Sequence, residues 1–288
     1  MTTVSGTPTQ RPLDPSDERG VVAIDLGNTA AKLMASGSGE LGELIPDGRG
    51  KSFRLDQSGW AERVLAWVRE NVLHVREIRI ASVNRGAADQ LRDAIESSPD
   101  RGRVVILGCQ HVDLETAVPS PDRVGIDRLI GAFAAVRLRK QNRGSSLLTD
   151  ETKRATIVVD AGSAITVDMV DEQDVYRGGA IMPGLEMQTR ALATGTDLLP
   201  QIDWANQERL VVPGPDTVSA IQLGVMMAAV GAIERLIHEY AVNPHVILAG
   251  GDAQAISTHV RAKHLVVPDL VCKGILLIDR DRHSHGSR

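Results

Sequence analysis

One short pattern occurs twice in this chain and limits the folds that it can adopt. Residues 21–29 read VVAIDLGNT and residues 157–164 read IVVDAGSA, and each copy continues into a second apolar run. Each copy is therefore an apolar strand ending in aspartate, then a turn of small and hydroxyl-bearing residues, then another strand. The two aspartates, Asp25 and Asp160, lie nearly half the chain apart. The repeat predicts a duplicated structure with a cleft between its halves.

The first copy has the residues needed to hold a metal-bound polyphosphate. Backbone N–H groups of the turn, together with the side chains of Asn28 and Thr29, could bind phosphate oxygens, and Asp25 could hold Mg²⁺ directly or through water. A hairpin turn with a purely structural role would have a similar sequence. The second copy of the pattern favours the phosphate interpretation.

The second copy offers a matching set of groups. Asp160 could bind a cation, and the hydroxyl of Ser163, one residue after Gly162, suits the far phosphates of a nucleotide. Thr166 and Asp168 fall on one face of the following strand, although an exposed strand face would show the same alternation. Glycine pairs at 178–179 and 250–251 are predicted to form turns that allow close backbone approach.

Asp127 and Arg128 are adjacent charges at the start of an otherwise apolar predicted helix. An aspartate there could simply stabilise the helix dipole. In a substrate pocket, Asp127 could instead accept a hydroxyl proton while Arg128 binds an anion. Spacing alone leaves both interpretations open.

The rest of the chain alternates between strand and helix patterns, which is typical of an α/β protein with largely parallel sheets. The long helix at 216–240 is expected to be buried, and the apolar segment 271–278 closes the fold. The predicted divisions are a disordered extension at 1–19, an N-terminal domain at 20–142, a linker at 143–154, a C-terminal domain at 155–280 and a polar tail at 281–288.

Composition excludes several classes of function. A net charge of −5 and only two Phe, two Tyr and three Trp argue against nucleic-acid binding. The N-terminal residues lack the apolar core of a signal peptide, and the apolar stretch at 218–233 is too short and interrupted to span a bilayer. We therefore expect a cytoplasmic protein without membrane contact, in which Cys109 and Cys272 are buried thiols rather than a disulfide.

With these motifs in order, the chain resembles the type III pantothenate kinases of the acetate and sugar kinase/Hsp70/actin superfamily, over residues 21 to 278. The resemblance rests on DLGNT at 25–29, GIDR at 125–128, VDAGSA at 159–164, GGAIMPG at 178–184 and LAGG at 248–251. Residues 269–275 also resemble the last strand and turn of the family.

The resemblance implies two tandem ribonuclease-H-like (actin-like ATPase) domains and ATP-dependent phosphorylation of pantothenate, the first step of coenzyme A synthesis. It implies Asp127 as the general base, Mg²⁺ on Asp25, a monovalent cation (K⁺ or NH₄⁺) on Asp160, and a homodimer in which Thr217 contacts the pantothenate of the other subunit. The pantothenate-binding residues would be Gly125, Ile126, Asp127, Arg128 and Thr217. The ATP-binding residues would be Asp25, Leu26, Gly27, Asn28, Thr29, Ala30, Ala31, Lys32 and Ser163.

Three positions depart from the family pattern. Ser163 replaces a usual threonine and keeps its hydroxyl, and Asp216 replaces a usual asparagine beside Thr217. Val118 stands where the family often has a tyrosine, so one hydrogen bond to pantothenate is missing, which typically costs about 0.5–1.5 kcal/mol. Tyr176 and Tyr240 are candidates to replace that contact.

Two other functions remain open at this point. The chain could be another small-molecule kinase or phosphatase of the superfamily, although its short length and GIDR motif favour pantothenate. It could also be a non-catalytic regulator of the kind represented by the Bvg accessory factors. Loss of Asp25 or Asp127 would support a regulator, and both are present.

Overall fold

The computed structural model describes six parts of the chain, which are residues 20–36, 49–72, 74–98, 102–141, 154–204 and 210–278. The predicted extension at 1–19, the polar tail at 281–288 and all but the last residue of the predicted linker lie outside these residues. The proposed domain limits therefore stay predictions.

The first half forms a five-stranded sheet in the order β3-β2-β1-β4-β5. Strands β1, β2 and β3 are antiparallel neighbours, whereas β4 and β5 run parallel to β1. The elements of this half are β1 (Gly20–Leu26), β2 (Ala30–Ser36), β3 (Arg49–Arg54), α1 (Trp60–Asn71), β4 (Val75–Ser82), α2 (Arg85–Glu96), β5 (Arg103–Ile106), β6 (Glu115–Thr116) and α3 (Ile126–Gln141).

The second half repeats this topology. Its sheet has the order β11-β10-β7-β8-β9-β6, so β7 to β11 occupy the positions of β1 to β5, and the short β6 is added at the edge. The remaining elements are β7 (Thr156–Ala161), β8 (Ala164–Val170), β9 (Val175–Pro183), α4 (Leu185–Gly195), α5 (Thr217–Tyr240), β10 (His245–Ala249), α6 (Ala253–Ser257), β11 (His264–Val266) and α7 (Leu270–Leu277). The duplication predicted from the repeated motif is confirmed.

The last helix of each half packs on the sheet of the other half. Helix α3 packs on β7 and β8 of the second sheet, while α7 packs on β1, β2 and β4 of the first sheet, and the two helices also contact each other. Helices α1 and α2 cover the outer face of the first sheet, and α5 covers the outer face of the second. The helices α3 and α7 therefore form a layer between the sheets.

The alternation of side chains along a strand places both repeated aspartates beside this middle layer. In β1, Val22 and Ile24 pack towards α1 and α2, whereas Val21 and Ala23 pack towards α7, and Asp25 shares their face. In β7, Val158 packs towards α3, and Asp160 shares its face. Both carboxylates therefore point into the space between the sheets.

Two predictions about local structure are wrong. Gly178 and Gly179 do not form a turn but lie inside β9, where the pairing register with β8 shifts near Arg177 and Gly178 has a φ of +91°. The closing segment is not a strand and turn but the helix α7. A run of apolar residues is compatible with either a strand or a buried helix, and packing between two sheets favours the helix here.

Helix α5 is less buried than expected. It buries seven side chains against the second sheet, but Val218 is 42% and Met227 43% exposed in the single chain. By length and composition alone it is the one helix among the described residues that could cross a membrane, with a mean hydropathy of 1.6 over a window that is 39% buried. Packing on the sheet explains its apolar composition, and the expected absence of membrane contact stays a prediction.

The two cysteines are free thiols, which confirms that they do not form a disulfide. Cys272 is buried, as expected, and its Sγ lies 3.5 Å from the backbone oxygen of Lys32. Cys109 is only partly buried, so the expectation that both thiols are buried is wrong for this one.

Candidate active site

The two copies of the repeated motif form similar turns, but the turn of the first copy is one residue longer than that of the second. The backbone N–H of Gly27 donates to the carbonyl oxygen of Ala30 at 3.0 Å, and that of Gly162 donates to the carbonyl oxygen of Ala164 at 3.0 Å. Each turn joins two antiparallel strands directly after an aspartate. The two turns therefore occupy corresponding places in the two halves of the molecule.

The tips of the two hairpins meet. The hydroxyl oxygens of Thr29 and Ser163, 134 residues apart in sequence, lie 2.6 Å from each other. The glycine turn after β10 packs under the second hairpin, because a Cβ at Gly250 would lie 2.2 Å from the carbonyl oxygen of Ala161, and Gly250 has a φ of +93°. Residues from three motifs of the sequence are thus brought together.

The hairpin residues that we expect to bind ATP differ in how far they are exposed, and three groups can be distinguished. Asn28 and Thr29 are exposed at the tip, where their side chains can reach a ligand. Leu26 and Ala31 are fully buried in the core of the first half, so only their backbone groups could take part. Gly27, Ala30 and Lys32 are partly buried.

Three carboxylates and one ammonium group share the site. Lys32 pairs with Asp25 across the β1–β2 hairpin, so their side chains lie on the same face. Burial raises the pKa of Asp25 to about 7; the charge of Lys32 opposes this rise, while Asp160 and Asp127 add to it. Burial also raises the pKa of Asp160. Burial alone would lower the pKa of Lys32, but Asp160 and Asp25 outweigh it and the pKa lies above its ordinary value.

Asp127 lies in the first turn of α3, at the edge of this group of charges. Its Oδ1 accepts a 2.8 Å hydrogen bond from the backbone N–H of Arg128. A Cβ at Gly125 would lie 2.5 Å from that same oxygen, so any larger residue at this position would displace the carboxylate. Burial raises the pKa of Asp127, partly offset by the hydrogen bond from Arg128. The side chain of Ile126 is buried in the core between the halves.

Arg128 contacts residues that could be assigned only weakly from the sequence. Its guanidinium donates to the carboxylate of Asp168 on β8, and the hydroxyl of Tyr176 on β9 donates to the same carboxylate. The alternation that places Thr166 and Asp168 on one strand face is confirmed, and both follow Asp160 in facing the middle layer. Tyr176 could not be assigned from spacing.

Two of the departures from the family pattern, Val118 and Asp216, have different surroundings. Val118 packs with Tyr176 in one apolar cluster, and the Tyr176 hydroxyl is used by Asp168. Asp216 is the N-cap of α5, where its carboxylate accepts from the backbone N–H and the hydroxyl of Ser219, both at 2.9 Å. An aspartate serves as well as an asparagine in that position.

The donor set fits the cations that the resemblance implies. Among the described residues, no three His, Cys, Asp or Glu side chains are grouped as a protein-only metal site. Asp25 provides a buried carboxylate and Asp160 a partly buried one, and Lys32 is the positive charge that acts on both. Single carboxylates of this kind suit ions that keep water and phosphate ligands. The hydroxyl oxygen of Thr166, directly across from Asp160, is buried without a hydrogen-bond partner and could serve as a further ligand.

Comparison with known proteins identifies the family. A family profile described as type III pantothenate kinase matches residues 21–239. The chain belongs to the type III pantothenate kinase family. The type III pantothenate kinase of Rhodopirellula baltica is 40% identical over 277 residues, covering 88% of this chain and 97% of the relative. That of Persephonella marina is 29% identical over 269 residues, covering 88% and 96%. The chain is therefore an enzyme, a pantothenate kinase of this type.

Solved structures confirm the actin-like ATPase fold. A putative Baf family transcriptional activator from Campylobacter jejuni aligns over 91% of this kinase and 99% of its own chain, with a TM-score of 0.55 and 18% identity. The ethanolamine utilization protein EutJ from Carboxydothermus hydrogenoformans aligns over 92% of both chains, with a TM-score of 0.51 and 15% identity. At these identities the similarity concerns the fold alone.

Proposed function

We propose that this enzyme phosphorylates pantothenate with ATP, giving 4′-phosphopantothenate, the first intermediate of coenzyme A synthesis. The observation that carries this proposal is the closeness of Asp127 to the aspartates of the two hairpins. Asp127 is close enough to Asp25 and Asp160 for their charges to affect one another. A base for the acceptor alcohol therefore lies beside groups suited to the phosphates.

Asp127 acts as the general base in this proposal. Burial raises its pKa, which makes it a better proton acceptor than an exposed carboxylate, but an alcohol remains far too weak an acid to ionise beforehand. Phosphoryl transfer passes through a loose transition state, in which positioning matters more than early deprotonation. Asp127 therefore orients the hydroxyl group and accepts its proton late.

The hairpins bind the phosphates of ATP. Asn28 and Thr29 are exposed at the tip of the first hairpin, and the hydroxyl of Ser163 lies 2.6 Å from that of Thr29. These side chains would supply the donors, together with Lys32 on the face of Asp25 and the backbone N–H groups of the first hairpin. Asp25 would hold Mg²⁺, and Asp160 would hold the monovalent cation with help from Thr166. These ions neutralise phosphate charge during transfer.

The test is phosphate transfer from ATP to pantothenate with Mg²⁺, run with potassium, with ammonium and with neither. We expect 4′-phosphopantothenate to form, and its rate to depend on the monovalent cation. Absence of product at saturating pantothenate, from protein shown to be folded, would overturn the proposal. In that case other alcohols and a regulatory role would be tested next.

We also infer that the enzyme is a homodimer with a shared active site. Tyr240, at the end of α5, is close enough to Asp168 and Arg128 for their charges to act on its pKa, which burial raises. Thr217 begins the same helix, roughly 35 Å away along its axis at about 1.5 Å per residue. Thr217 can therefore reach pantothenate only at the site of a second subunit.

The exposed face of α5 is the surface that we assign to the dimer. Small and apolar residues recur there at helical spacing, and a Cβ at Gly224 or Gly231 would meet nothing within 4 Å in the single chain. Exposed apolar surface of this kind is typical of a subunit interface. The exposed residues of this face are Ala220, Gly224, Met227, Ala228 and Gly231.

Met227→Glu should convert the dimer to a monomer and raise the KM for pantothenate at least tenfold, because a charge cannot be buried unpaired and the Thr217 contact is lost. Light scattering after gel filtration and steady-state kinetics measure the two effects. Val242→Glu is the control, since Val242 is 95% exposed just beyond α5. A Met227→Glu monomer with full activity would contradict the shared site.

The remaining partners follow from the sequence. The net charge of −5 and the scarcity of aromatic residues support an enzyme that binds small molecules, without nucleic-acid or membrane partners, in the cytoplasm. Fractionation of cells that produce the full chain would test the location.

A further inference from the structure

The side chain of Arg128 is held in place by an ion pair with another residue of the protein. Its Nε lies 3.1 Å from both carboxylate oxygens of Asp168, and its Nη2 lies 2.5 Å from Oδ1. The side chain of Asp168 is 2% exposed and that of Arg128 is 14% exposed. Charge-assisted pairs of this kind fix the plane of the guanidinium group as well as its position.

Tyr176 completes the arrangement. Its side chain is fully buried, and its hydroxyl donates to Oδ1 of Asp168 at 2.7 Å. Burial and the neighbouring carboxylate raise the pKa of Tyr176, so the hydroxyl remains a proton donor. The bulge between β8 and β9 lies next to Tyr176 in the strand pairing. Asp168 is therefore itself held in place by a second strand.

The contact to Asp168 uses one edge of the Arg128 guanidinium, and no side chain among the described residues accepts from the other edge. Nε and Nη2 point to Asp168, so the N–H groups of Nη1 remain for another acceptor. The backbone N–H of Arg128 meanwhile donates to Asp127, the proposed base. This other edge and the base thus lie on adjacent residues of one helical turn.

We propose that Asp168, held by Tyr176, is a positioning residue that fixes the guanidinium of Arg128 for binding pantothenate. The inference rests on the proposed function. The physical reason is that a long side chain loses rotamer entropy when it binds substrate. A preformed ion pair orders the side chain during folding, so this loss no longer weakens binding. Asp168 does not touch the reacting atoms, and it acts only through Arg128.

The first test is Asp168→Asn in steady-state kinetics with pantothenate and ATP. We expect the KM for pantothenate to rise roughly tenfold to a hundredfold, with a smaller change in kcat and an unchanged KM for ATP. Tyr176→Phe, which removes one hydrogen bond and keeps the ring, should raise the KM for pantothenate by a smaller factor. An unchanged KM for pantothenate in both variants would overturn the proposal.

Asp171→Asn provides a matched control. Asp171 is also buried near the end of β8 and also pairs with an arginine, since it accepts from Arg177 Nε at 2.6 Å, but none of its hydrogen-bond partners belongs to the site. This variant should lower the melting temperature and leave the KM for pantothenate unchanged. If Asp171→Asn raised that KM as much as Asp168→Asn, the effect would be a general consequence of losing a buried carboxylate, and the proposal would fail.

A double-mutant cycle and an NMR measurement separate this proposal from the proposed function. In an Arg128→Met background, Asp168→Asn should raise the KM for pantothenate no further, whereas an independent effect would contradict a role through Arg128.

The Arg128 Nε–H signal in NMR spectra should exchange slowly with water in the wild type and rapidly in Asp168→Asn. This signal needs no substrate, so unchanged exchange would overturn the positioning role even if pantothenate were not the substrate. A wild-type enzyme inactive on pantothenate would overturn the proposed function alone.

Discussion

Asp127→Asn should lower turnover of pantothenate roughly 10²–10⁴-fold while leaving the affinity for ATP nearly unchanged. Asparagine keeps the size of the side chain, and its amide oxygen can still accept the hydrogen bond from the backbone N–H of Arg128. It cannot take the proton of the acceptor alcohol. The hairpins that we propose to bind phosphate lie on other strands and are not altered by the change.

Two measurements decide this prediction. Turnover is followed as product formation at saturating substrates, and ATP affinity by calorimetry in the absence of pantothenate. Asp122→Asn is the control, because Asp122 is an exposed aspartate in the loop just before α3. If ATP binding fell in parallel with turnover, Asp127 would be part of the nucleotide site and its assignment as the base would be wrong.

The pH dependence of wild-type activity is a second test of Asp127 as the base. Burial raises the pKa of Asp127 above its ordinary value, so the carboxylate is protonated at a higher pH than an exposed aspartate. A base must be ionised to accept a proton, and activity should therefore decline on the acid side before exposed aspartates titrate. The raised pKa of Asp25 contributes to the same decline if it binds Mg²⁺.

Much of the fold could be predicted because the information is local. The strand, aspartate and turn pattern specifies a hairpin by itself, and its second copy reveals the duplication. The helix α1 is also specified locally, because its apolar residues recur on one face. The identity of α7 could not be predicted, because a short apolar run fits a strand or a buried helix, and only the exchange of α3 and α7 between the sheets decides.

The site shows the same division between local and distant information. Asp25, Asp127 and Asp160 each stand in a recognisable motif, and the structure brings their charges together. The contact between Arg128 and Asp168 joins residues 40 positions apart, and its geometry depends on how α3 lies on β8. Tyr176 reaches Asp168 only because β8 and β9 pair with a shifted register. No spacing in the sequence contains that information.

Asp25→Asn should abolish activity and, at pH 8, make the ligand-free protein more stable than the wild type. The pKa of Asp25 is raised from 3.8 to about 7 in the folded protein, so the folded state holds the proton more tightly than the unfolded state. Its contribution to stability is therefore complete below about pH 3.8 and is lost as the pH rises to about 7. The loss amounts to at most about 4 kcal/mol, at about 1.36 kcal/mol per pKa unit.

Urea unfolding from pH 4 to 8 in the presence of EDTA measures this effect. The wild type should lose stability across that range, and Asp25→Asn, whose amide does not titrate, should lose less. Asp122→Asn should follow the wild type, because its side chain is exposed. An Asp25→Asn variant less stable than the wild type at pH 8 would mean that pairing with Lys32 outweighs the cost of burying the carboxylate. With the expected result, the buried charge of Asp25 is a stability cost, as expected for a carboxylate kept for the proposed binding of Mg²⁺.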